Sequence, residues 1–305
     1  MSVLTLPAQP VRGAGPALRP VPWQRMIWVT GRQHRGMLTG VTAVLAAVSL
    51  FLLIAGLKVH HDYAALVNCH TACGAMNQSF NNTDWTMGNT ILILMHLVPV
   101  LLGMFAGPAV LARELETGTF RYAWTQGIGR LRWTIAKLVL LAVAITVIAW
   151  AFSQVFAWFF DPFLQYEGMN VLAATVFTTR GIAFAAWTLA AFAIGAFLGM
   201  LIRRIIPAMA ATLGAYLGLN LLAWLVLRED YPVAIDTTNA SLFNGPSTSS
   251  SPWILKTWTD GNTQWWRYIP VSRFWPMQFI ESGWLLVVAV ALGAATVWLV
   301  SRRAA

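Results

Sequence analysis

Six runs of almost unbroken apolar residues cross the sequence, at about 37–57, 89–111, 134–160, 181–202, 205–227 and 284–300. A helix needs roughly 20 mostly apolar residues to cross the hydrocarbon core of a bilayer, so each run predicts a membrane-spanning helix. The fourth and fifth runs are parted only by Arg203 and Arg204, which predicts a tight turn. The sixth is short for a span, and an earlier start near Phe279 would lengthen it. Pro99 and Pro207 fall inside or near the start of spans, where a missing N–H predicts a kink. Ahead of the first run, WQRMIWVTGRQHRG at 23–36 mixes Trp23, Met26, Ile27 and Trp28 with Arg25, Arg32 and Arg35. That mixture predicts a short amphipathic helix in the interface, with aromatics among the headgroups and arginines towards phosphate. Residues 1–22 hold Pro7, Pro10, Pro16, Pro20 and Pro22 and no acidic residue, which predicts a flexible tail without the apolar core of a secretory signal. The expected fold is all-α, a single transmembrane domain over 23–305 with six spans.

Composition agrees with the pattern. Of 305 residues 58% are hydrophobic and 10% charged, and the mean hydropathy is +0.63. Soluble domains carry about 25% charged residues, so an ordinary soluble enzyme, a nucleic-acid-binding domain and a disordered chain are excluded. The 16 tryptophans suit interfacial anchoring. The net charge of +9 is unevenly spread. Segments 1–37, 112–137, 203–204 and 301–305 hold 14 basic and 2 acidic residues; segments 58–88, 161–180 and 228–283 hold 6 basic and 9 acidic ones. Because cytoplasmic loops are enriched in Lys and Arg, the first set is expected in the cytoplasm with both termini, and the second set outside.

Candidate chemistry is sparse. Gly103/Gly107, Gly195/Gly199 and Gly214/Gly218 form three Gly-xxx-Gly pairs. Each lets another backbone approach closely, either within the chain or at a subunit seam. His96 in span two, Gln154 in span three and Asn220 in span five are polar groups in apolar runs. Such groups face protein or water, as interhelical hydrogen bonds or as the lining of a translocation path. The first external loop carries His60, His61, Asp62, Cys69, His70 and Cys73. Its spacing fits no standard zinc pattern, and an external compartment favours a Cys69–Cys73 disulfide over a metal site. No G-x-x-x-x-G-K-[ST], G-x-S-x-G or H-E-x-x-H occurs, so no nucleotide or catalytic metal motif marks this chain.

The most informative stretch is ARELETGTFRYAWTQGIGRLRWTIAKL at 112–138. Gly118 suits a helix stop and Thr119 an N-cap, which predicts a short helix at about 120–126 presenting Phe120, Arg121, Tyr122 and Trp124. The pattern of Glu114, Glu116, Gly118 and Thr119, then Arg130 or Arg132, then Lys137 resembles the coupling-helix loop of type-2 ABC exporter permeases. The run RELETGTFRYAWTQ, and YIPVSRFWPMQFIESGW at 268–284, resemble a bacterial subgroup of that family.

This resemblance implies a permease with a coupling loop at 112–133 and an external re-entrant region within 228–283. It implies a permease dimer, a separate ABC ATP-binding subunit that carries ATP and Mg, and a bacterial plasma-membrane location. Arg113, Glu114, Glu116, Gly118, Thr119, Phe120, Arg121 and Trp124 would couple to the ATPase. No cofactor or metal is expected in this chain. The partners would be membrane lipid and a small amphipathic cargo (drug-like, peptide or lipid), not nucleic acid. Two other readings stand beside this one. An ion-driven secondary transporter is disfavoured by the missing mid-span acids and inverted repeat. A membrane-embedded metal enzyme would have to use the His/Cys loop.

Overall fold

The computed structural model describes residues 22–71, 73–117, 130–167, 169–227, 234–239, 252–261 and 263–303. Among them, six helices are long and apolar enough to cross a membrane. Within a bilayer the backbone must satisfy its own N–H and C=O groups, and helices do so segment by segment. That constraint explains the first element. The expected interfacial helix and first span are one continuous helix, α1 (Trp23–Val67), and Gly31, Gly36 and Gly40 do not interrupt it.

The second crossing is assembled from α2 (Gly74–Ser79), a π-helical turn (Phe80–Trp85), α3 (Thr86–Met95) and α4 (Leu97–Thr117). The break at His96 has a local cause: Pro99 has no N–H to give the carbonyl of Met95. The third crossing is α5 (Arg130–Tyr166). A short α6 (Ala174–Phe177) leads to α7 (Gly181–Ile202). The expected tight turn follows, with Arg203 in the left-handed region at φ 61°. Next comes α8 (Ile205–Leu222), extended by a π-helical turn (Ala223–Leu227). Pro207 lies in the first turn of α8, where no N–H partner is needed, and the helix runs on unbroken. The last crossing is α9 (Phe274–Arg303), beginning ten residues ahead of the apolar run at 284.

Helix α7 is the hub. Of its most apolar window 72% is buried, against 17% for α1 and α8. Two glycine pairs bring α4 onto it. A Cβ on Gly107 would sit 2.7 Å from Gly195 Cα, and one on Gly195 would sit 2.6 Å from the Gly103 carbonyl oxygen. The third pair behaves differently: Gly214 and Gly218 have nothing within 4 Å of such a Cβ.

Between α8 and α9 the family resemblance implies an external re-entrant region. The described residues there form a three-stranded antiparallel sheet, β1 (Ile235–Thr237), β2 (Trp253–Asp260) and β3 (Thr263–Ile269), in the order β1-β3-β2. Trp258 pairs with Trp265, and Gly261 turns the hairpin at φ 60°. Ile269, Trp253 and Leu255 pack on Leu172, Phe177 and Met277.

Among the described residues, members of the two charge sets gather at opposite ends of the bundle. At one end Glu116 meets Ile205, Arg132 lies over Trp23, and Leu299 and Val300 pack near Leu38. Arginine–tryptophan pairs recur there, with Arg32 over Trp28 and Arg302 over Trp298. At the other end Lys58 bridges Asp62 and Asp84, Arg180 pairs with Asp161, and Tyr166 donates to Asn77.

Candidate functional site

The helix break at His96 opens a cavity of about 130 Å³ between α3, α4, the 178–179 turn, α7 and α8. Two of the three polar residues expected on a translocation path meet there: His96 and Asn220. Thr178, Thr179, Tyr216, Trp187 and Phe184 complete much of the wall. His96 Nδ1 lies 2.9 Å from the Leu92 carbonyl, which can only accept, so Nδ1 carries the proton. Nε2 then turns towards Thr178 Oγ1, 3.5 Å away. Gln154 is not part of this wall: it is exposed on α5, and its Nε2 donates to Ser153 Oγ. Ser153 is buried and donates to the Trp150 carbonyl.

Side chains that the apolar runs did not single out hold the wall in place. Glu281 of α9 is fully buried, and its Oε1 accepts from Trp187 Nε1 at 2.8 Å. One turn earlier on the same face, Gln278 accepts from Ala183 N–H at 2.8 Å and donates to the carbonyls of Phe177 and Arg180. Gly181, at φ 64°, admits this approach, since a Cβ there would sit 3.0 Å from Gln278 Oε1. Gln278 and Glu281 fall inside YIPVSRFWPMQFIESGW, so the motif has a structural role: it pins α9 to the start of α7. The charge split groups Glu281 with the external segment 228–283. The structure places it within a helix that crosses.

Helix α4 joins the cavity to the expected coupling loop. Leu97, Pro99 and Val100 line the cavity at one end, and Glu116 lies in the last turn at the other. At 1.5 Å per residue its 21 residues form a rod about 30 Å long. Glu116 Oε2 accepts from Ile205 N–H at 3.3 Å. Arg113 and Glu114 belong to α4, but their side chains lie outside the described set, and Gly118, Thr119, Phe120, Arg121 and Trp124 are outside the described residues. Beyond the loop, Lys137 is fully buried, with Nζ 3.8 Å from the centre of the Trp133 ring.

Cys69 and Cys73 are joined, with Cα atoms 5.8 Å apart. Two histidines of that region, His60 and His61, are directed elsewhere. His60 stacks on Trp158 and contacts its carbonyl at 3.0 Å, and His61 meets Asp62. Among the described residues no group of three His, Cys, Asp or Glu is placed to hold a metal ion.

A family model described as ABC-2 membrane transporter related matches residues 42–228. The match takes in the cavity, α4, the stretch 112–133 and the glycine pairs, and stops before the sheet. No curated protein and no solved structure matches the chain.

Proposed function

The chain belongs to the ABC-2 membrane transporter related family, and from that premise we propose that it is the membrane-spanning subunit of an ATP-driven exporter in a bacterial plasma membrane. ABC transporter permease is the established part. Export, an amphipathic cargo, a separate ATP-binding subunit and a permease dimer are our reading. ATP and Mg²⁺ would be held by the partner chain, and the basic end of the bundle, with both termini, would face the cytoplasm.

One observation carries this reading: α4, with Pro108 inside it, is one continuous helix from the cavity to the loop at 112–133. A push on that loop by a cytosolic subunit would move α4. Its glycine contacts with α7 and the Glu116 contact with α8 would carry the motion to three walls of the cavity. The open glycine face of α8 supports a dimer, because Gly214 and Gly218 leave room for a second backbone.

The test is Glu114→Lys combined with Glu116→Lys. Where a glutamate is buried against the ATP-binding subunit, removing its charge would cost about 2–5 kcal/mol, because its partner is left unpaired; within the single chain Glu116 is exposed. The double variant should insert and express while sharply lowering ATP hydrolysis by the assembled complex. Full stimulation in a normally expressed double variant would remove this loop as the transmission element.

A further inference from the structure

We propose that the basic end of the bundle holds an anionic phospholipid, its phosphate among Arg32 and Arg35 of α1 and Arg302 of α9, its glycerol and upper acyl chains against Trp28 and Trp298. The inference needs only that the chain spans a bilayer, so it stands or falls apart from the permease reading.

Depth comes first. Arg32 and Arg35 lie within two turns ahead of the apolar run that begins at 37, and Arg302 lies two residues beyond the run that ends at 300. All three are exposed. Leu38 of α1 packs on the cluster that contains Leu299 and Val300 of α9, so the arginines of both helices leave the apolar core at one level. Trp28 and Trp298 are 62% and 52% exposed there. Indoles at that level match the aromatic belt of a membrane interface, where ring faces meet lipid.

Charge comes second. That end holds 14 basic residues against two acidic ones, Glu114 and Glu116, both in α4. Among the described residues no carboxylate pairs with Arg32, Arg35 or Arg302, whereas Lys58, Arg180 and Arg267, away from that end, each meet an aspartate. Arg32 lies instead over the Trp28 ring at 5.3 Å, and Arg302 over the Trp298 ring at 4.7 Å. A guanidinium stacked on an indole is held by the ring quadrupole and keeps its in-plane N–H fork for an anion. Phosphate oxygens accept from that fork two at a time. A zwitterionic lipid offers the same phosphate but brings a cation, which three unneutralised arginines repel. The arginines therefore select a net negative headgroup, and the exposed indoles select a lipid over a free phosphate.

The experiment is native mass spectrometry of the full chain in dodecyl maltoside. Phosphatidylglycerol and phosphatidylcholine are supplied at equal concentration with acyl chains of different length, swapped in a repeat. Attraction of an anionic surface for one Lys or Arg is equivalent to about fivefold in affinity, so the first bound lipid should be phosphatidylglycerol by about tenfold. Combining Arg32→Gln, Arg35→Gln and Arg302→Gln should abolish the preference. Arg203→Gln with Arg204→Gln, at the same end, should leave it. Equal binding of the two lipids by the wild-type protein overturns the proposal, whether or not the triple variant folds. A preference that survives the triple substitution overturns it too. So does one that the Arg203/Arg204 variant loses as fully, which would assign it to the charge of the whole end. Loss of the preference on adding inorganic phosphate at matched ionic strength would make free phosphate the occupant and overturn the lipid.

Discussion

The carboxylate of Glu116, in the last turn of α4, accepts a hydrogen bond from the backbone N–H of Ile205, the first residue of α8, at 3.3 Å. Helix N-termini carry unpaired N–H groups and a partial positive charge, so an acidic side chain from a neighbour is favourable there. The contact ties the start of the loop at 112–133 to the helix that supplies Tyr216 and Asn220 to the cavity. It also gives Glu116 an intramolecular task besides any contact with a partner.

Glu116→Gln and Glu116→Lys should therefore separate. Gln keeps an acceptor for Ile205, whereas Lys places a cation at the positive end of α8 beside Arg203 and Arg204. Helix-end charge effects on exposed groups are worth about 0.3–1 kcal/mol. Thermal unfolding in detergent should show a small loss for Lys and almost none for Gln. Equal losses would mean that the Ile205 contact contributes nothing.

The glycine pairs predict opposite results at similar sequence motifs. A Cβ on Gly107 meets backbone at 2.7 Å, so Gly107→Ala forces α4 and α7 apart. Overpacking of this kind costs about 1–3 kcal/mol. Gly214→Ala has open space and should leave the thermal stability of the single chain unchanged. Gly214→Leu should lower the dimer fraction measured by single-molecule photobleaching in liposomes. A dimer indifferent to Gly214→Leu would place the seam elsewhere.

How much of this was legible in the sequence differs from residue to residue. The spans were readable because a bilayer demands long apolar runs, and α7 and α8 begin and turn where Arg203 and Arg204 said they would. Which side of a helix faces inward was not readable. Runs apolar all round carry little periodicity, so Gln154 points outward while His96 and Asn220 converge. Glu281 was hidden because the apolar run starts after it, although its spacing from Gln278 puts both on one face of α9. The sheet did have a local signal. Asp260-Gly261 lies between WILKTWTD and TQWWRYI, a turn dipeptide flanked by strand-forming residues.

The sheet carries a pH dependence. Arg267 donates to both oxygens of Asp236, and this hydrogen bonding holds the Asp236 carboxyl below the usual carboxylate range. A depressed folded pKa contributes stability above the unfolded pKa and loses it as pH falls through the folded value. Both groups are partly exposed, so the effect is small. Hydrogen-exchange protection in β1, taken relative to the intrinsic exchange rate at each pH, should fall as the pH is lowered below about 4, the unperturbed carboxylate pKa. Asp236→Asn should remove that dependence, and an unchanged profile in the variant would assign it to other groups.

The pairing of Cys69 with Cys73 predicts a peptide two hydrogens lighter than its dithiol form in mass spectrometry of unreduced protein. Cys69→Ser should cost little stability, because the closed loop is short and loop-closure entropy is correspondingly small. Free thiols in protein taken directly from membranes would contradict the pairing and the external placement of that segment.

The central claim is that α4 carries motion from the loop at 112–133 to the cavity. Spin labels at Leu97 and Leu217, both exposed at the cavity mouth, report its width by pulsed electron resonance in the complex with the ATP-binding subunit. The account predicts a distance shift on adding ATP with vanadate in the otherwise wild-type chain, and loss of that shift when Glu114→Lys and Glu116→Lys are added. An ATP-dependent shift that survives the double substitution, or a mouth that keeps one distance with and without ATP, would contradict it.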